Sequence, residues 1–241
     1  MSKSEIAWTE STWNPVTGCT KASPGCRNCY ASKMAKRLQA MGQPNYVNGF
    51  AVTTHAESLE TPKGWRKPQV IFVCSMSDLF HEDVPFEFIK SVFAVMSETP
   101  QHVYQVLTKR PERMVELSRM IEWPKNVWAG VTIEHNDYVS RGDLLRAVQG
   151  PSVRFVSAEP LLGPLTDLSL IGVDQLIVGG ESGSGWRPME VDWVRELRER
   201  CVDTKTAFFF KQFAGFRPKK LGRELDGVTW GQMPNQEDGA A

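Results

Sequence analysis

Residues 69–78 read QVIFVCSMSD. Val70 to Cys74 run without a polar break, and Ser75, Ser77 and Asp78 follow at once. A half-exposed strand alternates apolar with polar residues. An unbroken apolar run suits a strand buried on both faces, as in a parallel sheet. Outward along the chain the pattern returns as HVYQVLT (102–108), NVWAGVT (126–132), VRFVS (153–157), QLIVGG (175–180) and AFFFK (207–211). Amphipathic segments at 86–97, 112–121, 137–148 and 191–201 separate most of these runs and predict helices. The alternation predicts an α/β fold of parallel βα units. Six such strands, with a further one near Trp13, predict a parallel (β/α)6-type partial barrel, and a doubly wound sheet is the alternative.

Polar residues gather where each strand stops, which is where α/β proteins place their chemistry. Thr108, Lys109 and Arg110 follow VYQVL, and Thr132, Glu134 and His135 follow the next run. Ser157 and Glu159 follow VRFV, Glu181 and Ser182 follow LIVGG, and Lys211 and Gln212 end FFF. Chance explains one such set. Its recurrence predicts a lined cavity, with Glu159, Glu181 and Lys211 facing substrate. Gly179 and Gly180 permit close backbone approach, which a flat ring could use.

The stretch before the first long strand carries the sharpest chemical signal. Residues 12–31 read TWNPVTGCTKASPGCRNCYA, with Cys19, Cys26 and Cys29 in one loop. Three thiolates can hold three corners of a [4Fe–4S] cube and leave one iron open to a small chelating cofactor. Structural zinc needs four ligands, and His55, Cys74 and His81 stand at the wrong spacing to supply the fourth. A disulfide with a leftover thiol is the other alternative, disfavoured in a reducing compartment. Ser23-Pro24-Gly25 forms a tight turn that lets the loop fold back.

The chain has 241 residues with 28 basic and 28 acidic side chains, so no global charge draws it to nucleic acid or anionic membrane. No apolar run approaches the roughly 20 residues that cross a bilayer. With five cysteines and no secretory segment, a cytoplasmic location is expected. One domain is expected over 1–232, with a helix over 32–41, an inserted loop at 43–68 and a flexible tail at 233–241.

With SMSDLF, LTKRP, GVTIE, SAEPLLGPL, VGGESG and GRELDGVTW, the cysteine loop resembles a phage- and prophage-associated three-cysteine-motif family of radical-SAM-like proteins. There is a general likeness to the spore photoproduct lyase branch. The resemblance runs from about Trp8 to Trp230 and includes the spacing C-x6-C-x2-C in place of the usual C-x3-C-x2-C. It implies a radical-SAM-like barrel in which Cys19, Cys26 and Cys29 ligate a [4Fe–4S] cluster and S-adenosyl-L-methionine binds the open iron. Electron transfer from a flavodoxin- or ferredoxin-like reductant would then release a 5′-deoxyadenosyl radical. It further implies a nucleoside or nucleobase substrate, including phage DNA. A peptide or amino acid presented by a separately encoded partner protein is the second reading. A non-catalytic iron–sulfur or zinc module is the third.

The same resemblance assigns cofactor contacts. Tyr30 stands where related enzymes place an aromatic near adenine; otherwise it is the first buried residue of the next helix. Ser75, Ser77 and Asp78 replace the usual Gly-Gly-Glu as acceptors for the cofactor ammonium, against Asp78 as a helix cap. Lys109 would meet the cofactor carboxylate, or else is a surface lysine. Glu134 and His135 would contact the cofactor ribose or substrate, and Thr132 is a further cofactor contact. Asn14 and Thr17 cap the loop or donate to cluster sulfides. Cys74 reads as a buried strand residue, and Arg195, Arg198 and Arg200 as a solvated helix face. Arg217, Lys219, Lys220 and Arg223 form a basic run that phosphates or solvent could meet.

Overall fold

The computed structural model describes residues 4–234, so most of the expected tail, 235–241, lies outside the described residues. Contacts gather the chain into two compact units: Met1–Ala129 with Val148–Ser152, and Gly130–Ala147 with Val153–Ala241. The first holds β1 (Ser11–Trp13), β2 (Val16–Thr17), α1 (Tyr30–Ala40), β3 (Thr53–Thr54), β4 (Val70–Val73), α2 (Phe86–Glu98), β5 (Val103–Thr108) and α3 (Pro111–Ser118). β6 (Val127–Thr132) begins there. The second holds α4 (Ser140–Ala147), β7 (Arg154–Ala158), β8 (Gln175–Gly179), α5 (Val191–Thr204), β9 (Ala207–Gln212), β10 (Glu224–Leu225) and β11 (Val228–Thr229).

Seven strands hydrogen-bond in the order β1-β4-β5-β6-β7-β8-β9. Pairing is parallel from β1 through β4 to β5, and again from β7 through β8 to β9. The order rises without reversal. A doubly wound sheet reverses at a switch point, so this is the single winding of a parallel partial barrel. Burial explains the apolar runs: Ile71 and Val73 on β4, Leu176 to Val178 on β8, and Phe208 and Phe210 on β9 are fully buried.

Local chemistry moves several boundaries. β4 stops at Val73 because Cys74 turns into the left-handed region, with φ 61°. Cys74 is buried, yet it is a turn residue and not a strand residue. The helix expected at 112–121 runs from Pro111 and ends at Ser118, whose hydroxyl donates back to the Val115 carbonyl at 2.8 Å. The one expected at 137–148 divides into a 3₁₀ turn, Asn136–Tyr138, and then α4; the His135 ring accepts from the Asp137 N–H and caps the turn. No α-helix bridges β7 and β8. Leu161, Leu165, Leu168 and Leu170 are buried there instead, and Arg200 of α5 donates to the Leu165 and Leu168 carbonyls.

The edge at β9 is covered. Phe210 N–H donates to Trp230 O at 3.1 Å, and Gln232 N–H donates to Phe208 O at 3.1 Å. β10 and β11 make a hairpin whose two loop residues, Asp226 (φ 54°) and Gly227 (φ 77°), adopt the left-handed conformations of a type I′ turn. Arg195 and Arg198 both bind the Asp226 carboxylate, so this face of α5 is tied to the hairpin and is not simply solvated. Hydrogen bonds from the two arginines hold the exposed Asp226 carboxyl below its ordinary value. No helix of the described residues is long and apolar enough to cross a membrane.

Candidate functional site

In the first unit the cysteine loop is anchored at its base from two sides. The inserted segment folds back, and β3 pairs antiparallel with β2 through Val16↔Thr54 and Thr17↔Thr53. From the other side, the turn after β4 brings Ser77 into a parallel bridge with Gly18, and Gly18 N–H donates to Met76 O at 3.1 Å. Gly18 has φ 83°, and a Cβ there would lie 2.1 Å from the Ala51 carbonyl oxygen. Only glycine fits. The next N–H, of Cys19, donates to Phe50 O at 3.2 Å.

Beyond this anchor, Pro24–Cys26 forms the expected tight turn as a 3₁₀ helix, and Cys29 is the N-cap of α1. α1 sits close to the β4 turn because Ala31 and Ala35 pack on Met76. Cys19, Cys26 and Cys29 are half-buried free thiols, whereas Cys74 and Cys201 are buried ones. Among the described residues no three His, Cys, Asp or Glu side chains are grouped to hold a single metal ion. Soft thiolates are the donor type that an iron–sulfur cube takes, each on a different iron and so farther apart than the ligands of one ion.

A polar scaffold lies beside Cys19. Arg110 donates from Nη1 to Cys19 Sγ at 3.6 Å and to Asp78 Oδ2 at 3.3 Å. Its Nη2 reaches Thr20 O at 3.2 Å and Thr20 Oγ1 at 2.8 Å, and its Nε reaches both oxygens of Glu82 at 3.1 and 3.0 Å. His81 Nδ1 accepts from Asp83 N–H, so Nε2 carries the proton and donates to Thr20 Oγ1 at 2.8 Å. Burial, helped by the Arg110 charge and opposed by Glu82, Asp83 and Asp78, pushes His81 below its usual value. Burial pushes the Cys19 thiol up to about 11, with Asp78 adding to it and Arg110 opposing.

Asp78 is therefore no open acceptor. Its Oδ1 accepts from Phe80 N–H at 3.0 Å and Thr108 Oγ1 at 2.7 Å, and its Oδ2 from Lys109 N–H at 3.0 Å and Arg110. A carboxylate offers about four acceptor sites, and donors already meet each oxygen twice. The half-buried Ser77 donates to Val16 O at 2.7 Å. Ser75 donates to Asn14 Oδ1 at 3.2 Å, and the same oxygen accepts from Met76 N–H at 3.0 Å, so Asn14 caps the β4 turn. Tyr30 is 52% exposed, which sets aside its reading as a buried helix residue, and its hydroxyl donates to Ser75 O. Tyr30 and Ser75 thus meet beside the thiols. Lys109 is half-buried. Thr17 binds His55 Nε2 at 2.8 Å, so both zinc-candidate histidines are engaged with threonines.

In the second unit, the acids that the sequence places at strand ends are each paired with a base. Lys211 Nζ lies 2.6 Å from Glu159 Oε1, and Ser157 donates to Glu159 Oε2 at 3.1 Å. A Cβ on Gly179 would come within 2.9 Å of that same Glu159 Oε1, so this glycine makes room for the carboxylate. Gly180 is explained by the Ala214 backbone, 2.2 Å from where its Cβ would be. Backbone packing therefore requires glycine at 180, whereas at 179 the close neighbour is the end of a side chain. Glu181 accepts from the backbone N–H and Nε of Arg187, each at 2.9 Å, and from its Nη2, which closes the 181–187 loop. Glu134 is fully buried and pairs with Arg141 Nη1 at 3.0 Å. Arg141 also holds Thr132 O at 2.8 Å and stacks on Tyr138. Glu181 and Glu134 thereby have structural employment that the sequence did not disclose. Gly183 N–H donates to Gly215 O at 3.2 Å, setting the Trp186 loop beside the Phe216 turn. Trp186, Phe216 and Leu221 are 42%, 61% and 58% exposed, next to exposed Arg217, Lys219 and Lys220.

The family described as "Protein of unknown function (DUF5131)" matches residues 3–234. The chain belongs to it. No curated protein matches. Two solved structures are similar to the chain. One is a double mutant of spore photoproduct lyase with bound AdoMet and dinucleoside spore photoproduct, at TM-score 0.47 and 12% identity over 80% of this chain and 61% of that one. The other is spore photoproduct lyase complexed with dinucleoside spore photoproduct, at TM-score 0.44 and 11% identity over 79% and 60%. The chain spans about three fifths of the length of these proteins.

Proposed function

We propose that the chain is a radical S-adenosylmethionine enzyme acting on a nucleoside or nucleobase. The observation that carries this reading is the loop itself. Three half-exposed thiols stand on one short loop whose base only glycine fits at Gly18, and Arg110 donates to the first of them. Cys19, Cys26 and Cys29 would hold a [4Fe–4S] cluster and leave one iron to S-adenosylmethionine. When bound, a cluster reduced by an external one-electron donor would pass that electron to the sulfonium, whose carbon–sulfur bond would break to give methionine and a 5′-deoxyadenosyl radical able to take a hydrogen atom from substrate. The protein's part is placement. The Tyr30 ring offers a face for a flat base, and its tether to the Ser75 carbonyl orients it. Lys109 is the candidate for the cofactor carboxylate.

A nucleic-acid substrate is favoured over a peptide by the exposed aromatics beside a basic run. Bases stack on aromatic rings while Lys and Arg neutralise phosphate. Glu159 after β7 and Lys211 at the end of β9 offer an acceptor and a donor that already meet at 2.6 Å, and they are the candidate substrate contacts.

Anaerobic reconstitution with iron and sulfide, then reduction with S-adenosylmethionine present, should release 5′-deoxyadenosine. A loaded cluster that never cleaves the cofactor would leave only a binding module. For the substrate class, Lys219→Glu with Lys220→Glu should weaken single-stranded DNA binding. The log–log salt dependence should flatten by about 0.7 for each phosphate that the protein no longer neutralises. An unchanged slope would favour the peptide reading.

A further inference from the structure

Arg110 places every nitrogen of its guanidinium on the base of the cysteine loop or on a carboxylate next to it. The side chain is buried, and Asp78 and Glu82 flank its charge. We propose that Arg110 is a positioning residue for the first thiolate of the loop, and that its charge sets the reduction potential of a cluster bound there. This rests on the reading of the loop as a cluster site. Potentials of iron–sulfur centres follow net charge and hydrogen bonds to sulfur, and Arg110 supplies a cation and an N–H to Cys19 Sγ. Without it, two carboxylates would face an anionic cluster unbalanced. A lysine would keep the charge but could not reach sulfur, threonine and both carboxylates from one planar fork. Cys26 Sγ meets the Ser23 hydroxyl instead, at 4.0 Å.

The test compares the full chain with Arg110→Gln and Arg110→Lys, each reconstituted anaerobically with iron and sulfide. The midpoint potential is read by electron paramagnetic resonance during a dithionite titration, and iron loss is timed against a chelator. Arg110→Gln should shift the midpoint to more negative potential and release iron roughly 10- to 100-fold faster. Arg110→Lys should restore most of the potential and little of the iron retention. Where Arg110→Gln fails to fold, Asp78→Asn with Arg110→Gln leaves no unpaired buried charge and should still release iron faster than the native chain. Identical potentials and release rates in native and variant chains would overturn the proposal. A native chain that takes up no iron and sulfide fails the cluster reading itself; a cluster indifferent to Arg110 fails only this inference.

Discussion

Gly18 shows how one residue sets the geometry of the thiols. Its positive φ and the nearby Ala51 carbonyl leave no room for a side chain. Gly18→Ala should cost at least about 2 kcal/mol by denaturant unfolding and lower iron uptake, since backbone strain and a clash with backbone act together. Asp78 makes a sharper test. As a carboxylate facing a ligand, it would lose affinity and little stability when removed. As the hub joining Thr108, Lys109, Phe80 and Arg110, it should cost about 3–5 kcal/mol as Asp78→Ala, because Arg110 loses a buried partner. Unchanged stability would return Asp78 to the ligand. The three cysteines were legible in the sequence because the whole device lies within residues 19–29. Asp78, Arg110, Thr20 and His81 were not, because their pairings join segments about 30 to 90 residues apart. Thr108-Lys109-Arg110 was visible at a strand end, but only the number of acceptors around Arg110 singles it out. Glu181 and Glu134 were visible as acids at strand ends, while the arginines that occupy them lie six or seven residues on and carry no marked spacing.

Secondary-structure elements were legible where apolar period and burial agree. β4, β8 and β9 are continuous in the sequence because both their faces are covered. The inserted segment at 43–68 was read as short structure, and its small size hides its importance: two-residue β3 fixes the approach to Cys19. The β10–β11 hairpin went unmarked although Asp226-Gly227 is the usual type I′ signal. Its clamp to α5 predicts a pH dependence. The Asp226 carboxyl is held below its ordinary value by Arg195 and Arg198, so the folded state binds fewer protons than the unfolded one as pH falls. The contribution is complete above the ordinary aspartate value and is lost as pH drops through the lowered folded value. Asp226→Asn keeps the turn chemistry and removes the charge. Amide exchange at 224–229 should be faster in Asp226→Asn at neutral pH, and the native chain should converge on it in acid. Being solvent-exposed, the clamp is weak. Equal exchange at neutral pH would show that the hairpin does not need it.

At the scale of the molecule, the strand order was legible in outline. Consecutive buried strands joined by helices predict parallel winding, and the unreversed order selects the barrel-type sheet over the doubly wound one. The β7–β8 crossover was harder to see, since buried leucines of an irregular loop replace a helix there. Function, as proposed, depends on the loop that precedes β4 and leaves one iron without a protein ligand. Cys19→Ala, Cys26→Ala or Cys29→Ala should each abolish the iron–sulfur chromophore, whereas Cys201→Ala should leave it intact. The most direct measurement is Mössbauer spectroscopy of the chain reconstituted with labelled iron, with and without S-adenosylmethionine. One iron of the cube should be distinct from the other three and should shift when the cofactor is added. Stoichiometric zinc with no uptake of iron and sulfide, or a cluster whose irons ignore the cofactor, would contradict it.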